Sequence, residues 1–196
     1  MTESVVIPAD RDVRGSLDSP DSTACVVACP PHPQMGGSRT DARLQAVSDA
    51  VDAACLRFDY GAFDDGHGEL RDTLDAMAWA RERYESVALF GYSFGGCLAL
   101  CAAAAAAETP AAVSALAPAD RLNDDLDAIA AVDDIDCPIQ VMYGERDTTV
   151  DAERVADHVR ASGGTVETVS ADHFFVGQTR KIGETVGRFL NQSLNI

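Results

Sequence analysis

The sequence predicts an α/β protein built on a mostly parallel, doubly wound sheet with an N-terminal antiparallel hairpin. Three observations lead there. Short apolar runs without polar alternation recur along the chain, as strands buried on both faces require. Amphipathic or alanine-rich stretches separate them, as crossover helices do. At 196 residues with 46% hydrophobic content, the chain can bury a sizeable core as one domain, residues 1–196.

The elements follow in order. Glu3–Ile7 and Asp12–Leu17 flank the turn Ala9-Asp10-Arg11 and form the hairpin. After the polar turn Asp18–Ser22 comes a buried strand, Thr23–Cys29, ending in the Pro-rich loop CPPHPQMGGS. Thr40 caps a helix reaching about Ala54, with Leu44, Val47, Ala50 and Val51 on one face. Strand Ala54–Phe58 leads through the loop DYGAFDDGHG to a helix over Glu69–Tyr84. Val87–Phe90 is the next buried strand and Phe94–Ala107 the helix behind it. Strands Ala111–Leu116, Ile139–Tyr143 and Thr165–Val169 complete the sheet, with helices Asp151–Arg160 and Arg180–Asn191. The segment from Ala119 to Asp136 is acidic and weakly helical, too short for a separate lid domain.

Charge narrows the function. The chain has 32 acidic and 15 basic residues, a net charge of −17, and Lys181 is its only lysine. Such a surface repels nucleic acid and anionic membranes. Its self-repulsion is relieved by concentrated salt, and the lysine-poor, aspartate-rich composition resembles that of proteins from halophilic archaea. The N-terminal MTESVVIPADRD lacks a basic region followed by an apolar stretch, and the longest apolar run, Leu98–Ala107, is too short to span a bilayer. Six cysteines lie in or beside apolar segments, with no CxxC pair and no zinc spacing. Buried reduced thiols point to the cytoplasm.

The chemistry centres on Gly91-Tyr92-Ser93-Phe94-Gly95-Gly96, placed between a buried strand and a helix. A sharp strand-to-helix turn strains the serine backbone, crowds the positions two residues away, and lifts the hydroxyl above the carboxyl edge of the sheet. A serine hydroxyl needs a base. Among four histidines, His173 in SADHFF follows the last strand and lies past Asp147 of VMYGERDTTV. That gives the order Ser93, Asp147, His173, with Asp147 orienting the imidazole. Asp172 adjoins His173, but neighbouring side chains point apart; His158 belongs to a solvated helix face. Two N–H groups must hold the oxyanion. Phe94 supplies one, and Gln34 is read as the other, with Met35 next, because Pro31 and Pro33 have none. His32 either helps position this loop or is structural. Asp59, Asp64, Asp65, His67 and Glu69 read as loop and helix-start residues on the rim, with His67 or Asp59 a lesser candidate for substrate contact.

Together these motifs resemble the α/β-hydrolase superfamily, and within it the small, lidless dienelactone-hydrolase-like proteins with a His-Pro-rich oxyanion loop. PPHPQMGGS resembles that loop and GYSFGG the nucleophile turn; GERDTTV and DHFF resemble the acid and histidine turns. Two positions depart from the pattern: Pro30 leads the His-Pro loop, and Ser93 stands where dienelactone hydrolases proper carry cysteine.

The resemblance implies an α/β-hydrolase fold without a cap domain. The expected activity is a carboxylesterase-like serine hydrolase acting on small esters or thioesters through an acyl-enzyme. The expected cavity is shallow, bounded by Met35, Tyr92, Phe94, Val150 and Phe174. This chemistry calls for no metal or organic cofactor, and the chain is expected as a monomer or homodimer. Two rivals stand beside it: an aminopeptidase-like acyl hydrolase, and a hydrolase-fold binder without turnover.

Overall fold

The computed structural model describes residues 1–196. One eight-stranded sheet contains β1 (Thr2–Ile7), β2 (Val13–Asp18), β3 (Ala24–Cys29), β4 (Ala54–Asp59), β5 (Ser86–Tyr92), β6 (Val113–Leu116), β7 (Ile139–Gly144) and β8 (Thr165–Val169). The strand order is β1-β2-β4-β3-β5-β6-β7-β8. β1 pairs with β2, and β2 with β4, in antiparallel fashion; the other pairs are parallel. Every residue of β3, β6 and β7 is buried, which accounts for the absence of polar alternation in those runs. The edge strands β1 and β8 are largely exposed and correspondingly polar.

The helices are α1 (Ala42–Ser48), α2 (His67–Arg81), α3 (Phe94–Ala105), α4 (Ala128–Val132), α5 (Ala152–Ala161) and α6 (Thr179–Leu194). α1 and α6 pack together on one face of the sheet, and α2, α3, α4 and α5 form a row on the other. α3 is buried from Phe94 through Ala103, so its alanines and leucines face neighbours on all sides. α4 is the one helix in the acidic segment, started by the Asp127 carboxylate accepting the N–H groups of Ile129 and Ala130.

The first helix corrects the sequence reading. Asp41, not Thr40, caps it by accepting the Arg43 N–H at 2.8 Å. It ends at Ser48 rather than near Ala54, because the chain must turn through Asp49–Ala53 to enter β4, burying Val51 and Ala53 on the way. No helix is long and apolar enough to cross a membrane.

Candidate active site

β5 runs through the middle of the sheet and delivers its last residue, Tyr92, directly to Ser93. Ser93 adopts φ 58° and ψ −115°, a conformation that side chains rarely occupy. Glycines on either side make this turn possible. A Cβ on Gly91 would lie 2.0 Å from the Gly95 carbonyl oxygen, and one on Gly95 would lie 2.3 Å from the carbonyl oxygens of both Cys29 and Pro30. The second contact seats the serine turn on the end of β3, where the His-Pro loop begins.

Two other strand ends bring the partners. Ser93 Oγ lies 3.0 Å from His173 Nε2, and His173 Nδ1 lies 2.7 Å from Asp147 Oδ2. Asp147 Oδ1 accepts the backbone N–H groups of Thr149 and Val150 at 2.9 and 3.2 Å, which fixes the carboxylate plane. The carboxylate and imidazole are nearly sealed from solvent, with side-chain exposures of 3% and 6%. The network requires the proton on Nδ1, leaving Nε2 to accept the serine hydroxyl. Asp172 is turned away and accepts the Phe174 N–H at 3.0 Å.

A cavity of about 290 Å³ opens at Ser93, with Met35, Arg43, Tyr92, His173 and Phe174 among its walls. Three expected residues are placed elsewhere. Val150 spends its N–H on Asp147, and its side chain lines a separate small pocket beside Tyr143 and Gly144. The Phe94 ring faces a second cleft of about 460 Å³, packed against the His32 ring at 4.8 Å. Gln34 is exposed, and its N–H donates to His32 Nδ1 at 3.2 Å, starting a 3-10 turn over Pro33–Met35. That N–H is therefore engaged inside the loop, as is the Met35 N–H, which donates to the His32 carbonyl at 3.0 Å. The backbone N–H groups of His32 and Phe94 have no partner within the chain, and His32 lines the Ser93 cavity.

On the acidic rim, the carboxylates of Asp59, Asp64 and Glu69 are engaged within the fold. Asp59 accepts the Arg39 N–H at 2.7 Å and pairs with its guanidinium. Glu69 is fully buried and accepts the N–H groups of Asp64 and Gly66, starting α2. Arg11, from the hairpin turn, lies against Glu69 and Asp72, the latter with its carboxyl raised by burial. His67 sits in the second cleft, 3.8 Å from Asp125, and His158 pairs with Asp133 on the surface at 2.8 Å. No cluster of His, Cys, Asp and Glu has the arrangement of a metal site.

The model of the dienelactone hydrolase family matches residues 45–185. The chain belongs to that family. It is thus an α/β-hydrolase enzyme, and the matched span contains Ser93, Asp147 and His173. Solved structures share the fold. An α/β serine hydrolase homologue from Coxiella burnetii is 23% identical, with a TM-score of 0.81 over 96% of this chain and 97% of that one. A lidless α/β serine hydrolase from Xanthomonas campestris is 22% identical, with a TM-score of 0.80 over 97% and 94%. A dienelactone hydrolase from Anabaena variabilis is 22% identical, with a TM-score of 0.81 over 98% and 97%. No curated protein sequence matches this chain. The His-Pro loop, residues 29–38, precedes the matched span.

Sequence reasoning missed Asp41 and Arg43, which pair with each other and border the cavity. The only signal was an aspartate two residues before an arginine at a helix start, too common to single out.

Proposed function

We propose that this member of the dienelactone hydrolase family hydrolyses carboxylic esters or thioesters of small acyl groups through Ser93, His173 and Asp147. The observation that carries the reading is the unbroken hydrogen-bond chain from Ser93 Oγ through the imidazole to the buried Asp147 carboxylate. His173 Nε2 takes the serine proton as Oγ bonds to the acyl carbon. The N–H groups of Phe94 and His32 hold the resulting oxyanion, Phe94 at the start of α3 where the helix dipole adds to the effect. Collapse breaks the bond to the alcohol or thiol, which leaves with the proton from His173. Water, deprotonated by the same base, then releases the acid and restores Ser93.

The cavity of about 290 Å³, with half-exposed Phe174 and exposed Met35 at its mouth, suits short acyl groups. We read the surface charge as adaptation to concentrated salt inside the cell. The test is a fluorophosphonate probe in molar KCl: wild type is labelled and Ser93→Ala is not. Absence of labelling in wild type, with the fold intact, would favour a binding role and overturn the proposal.

A further inference from the structure

The histidine turn, residues 170–178, contains no helix or strand, yet it must hold an imidazole to within a fraction of an ångström. Backbone bonds tie its flanks, where the Ala171 carbonyl accepts the Arg146 N–H at 3.0 Å and the Phe175 carbonyl accepts the Gln178 N–H at 2.9 Å. The Phe175 N–H reaches the Asp172 carbonyl at a long 3.4 Å, and Phe175 itself adopts φ 52°, a strained conformation for a phenylalanine. No backbone N–H reaches the carbonyl of His173 or of Phe174.

Both carbonyls are instead held by side chains from β5 and α1. The Tyr92 hydroxyl donates to the His173 carbonyl at 3.0 Å, and Arg43 Nη1 donates to the Phe174 carbonyl at 3.1 Å. The two side chains brace each other, the guanidinium lying 4.4 Å from the centre of the Tyr92 ring. Arg43 is aimed by Asp41, which accepts from Nε at 2.8 Å and from Nη2, while also capping α1. The Tyr92 ring also packs against the imidazole, with ring centres 5.4 Å apart. Burial pushes the Tyr92 hydroxyl up to about 12, so it stays protonated and donating at any pH where a histidine base works.

We infer that Tyr92 and Arg43 are positioning residues that clamp the backbone of the histidine turn and so hold His173 Nε2 against Ser93. The inference rests on the hydrolase reading above. It gives Tyr92 a second role beside walling the cavity: peptide-bonded to the nucleophile, it sets the distance between nucleophile and base through one hydroxyl. A turn released by about 1 Å costs about 10²-fold in rate. Both clamps act on the same turn, so releasing the second adds little once the first is gone.

The experiment compares Tyr92→Phe, Arg43→Gln, the double variant and Ser93→Ala on a short-chain p-nitrophenyl ester in molar KCl, with unfolding midpoints measured alongside. The expected result for each single variant is a 10- to 100-fold fall in kcat, with KM within threefold and the midpoint within a few degrees of wild type. The fluorophosphonate labelling rate should fall by a similar factor. The double variant should lose only slightly more than the worse single one. Unchanged kcat in both single variants, with Ser93→Ala inactive, would overturn the clamp while leaving the hydrolase reading intact. A raised KM at constant kcat would also overturn it, making the two residues substrate contacts. Full activity in Ser93→Ala would instead refute the reading beneath it. Should Arg43→Gln fail to fold, Tyr92→Phe decides alone, because it keeps the ring and removes only the hydroxyl.

Discussion

Replacing Asp147 by asparagine tests the proposed mechanism with the least disturbance to the fold. In the structure, Oδ1 accepts two backbone N–H groups, from Thr149 and Val150, and Oδ2 accepts His173 Nδ1–H at 2.7 Å. An asparagine has one accepting oxygen, and an NH₂ group that can only donate. The two N–H groups claim the carbonyl oxygen, so the amide NH₂ must face Nδ1. Two donors cannot meet, and the imidazole answers by moving its proton to Nε2. That proton then points at Ser93 Oγ, and the nitrogen that should accept the serine proton already carries one. The backbone bonds survive, so the loop keeps its shape while the base is lost. The expected loss in kcat is about 10⁴-fold, or roughly 5.5 kcal/mol of transition-state stabilisation. Steady-state hydrolysis of a short-chain ester in molar KCl measures it, with circular dichroism confirming the fold. A kcat within tenfold of wild type would show that Asp147 does not set the tautomer, and the proposed triad would fail with it.

Three other outcomes follow from the same structure. Arg11→Met removes the cation beside Glu69 and Asp72, both fully buried, and should destabilise by about 3–5 kcal/mol in thermal unfolding at pH 7. Burial already raises the Asp72 carboxyl above its unfolded value, and losing the Arg11 contacts that lower it raises it further in the variant, so the folded variant binds more protons than wild type as pH falls and the deficit should narrow on acidification; a deficit independent of pH would count against this account. With a net charge of −17, the unfolding midpoint should rise as KCl goes from low to molar concentration, about 2–4 °C for each kcal/mol gained, and a flat response would refute salt adaptation. Burial pushes the thiols of Cys29 and Cys55 up to about 12 and that of half-buried Cys137 up to about 11, so a thiol reagent at pH 8 should react slowly with the native protein and rapidly once it unfolds. Fast native-state reaction of Cys29 would contradict that burial.

The fold was readable because each buried strand is a short, mostly apolar run bounded by turn residues. The Ser93 turn was readable for a stronger reason. Glycines at 91 and 95 are enforced by backbone carbonyls at 2.0 and 2.3 Å, so the pattern in the sequence is the imprint of a steric requirement. The end of α1 was not readable, since Val51 and Ala53 continue an apolar pattern yet serve a turn. The oxyanion loop shows the same limit. Excluding prolines as donors does not separate His32 from Gln34, and only the three-dimensional loop shows the His32 ring folding back to take the Gln34 N–H. Val150 was expected on the wall of the Ser93 cavity, but it lines a separate pocket and gives its N–H to Asp147.

Topology supplies part of the site's geometry, and side chains must add the rest. A parallel sheet brings the ends of β5 and β7 and the turn after β8 to one edge, which places Ser93, Asp147 and His173 as neighbours whatever the surface residues are. Topology alone brings groups together only coarsely, whereas proton transfer needs heavy atoms near 3 Å. The remaining precision must come from local bonds, and they are unevenly distributed. Ser93 is held by its strand, its helix and two glycines, and Asp147 by two backbone N–H groups. His173 follows an exposed edge strand and has neither. Side chains from β5 and α1 hold its turn, so the member of the site least supported by its own backbone is the one whose neighbours should matter most to the rate.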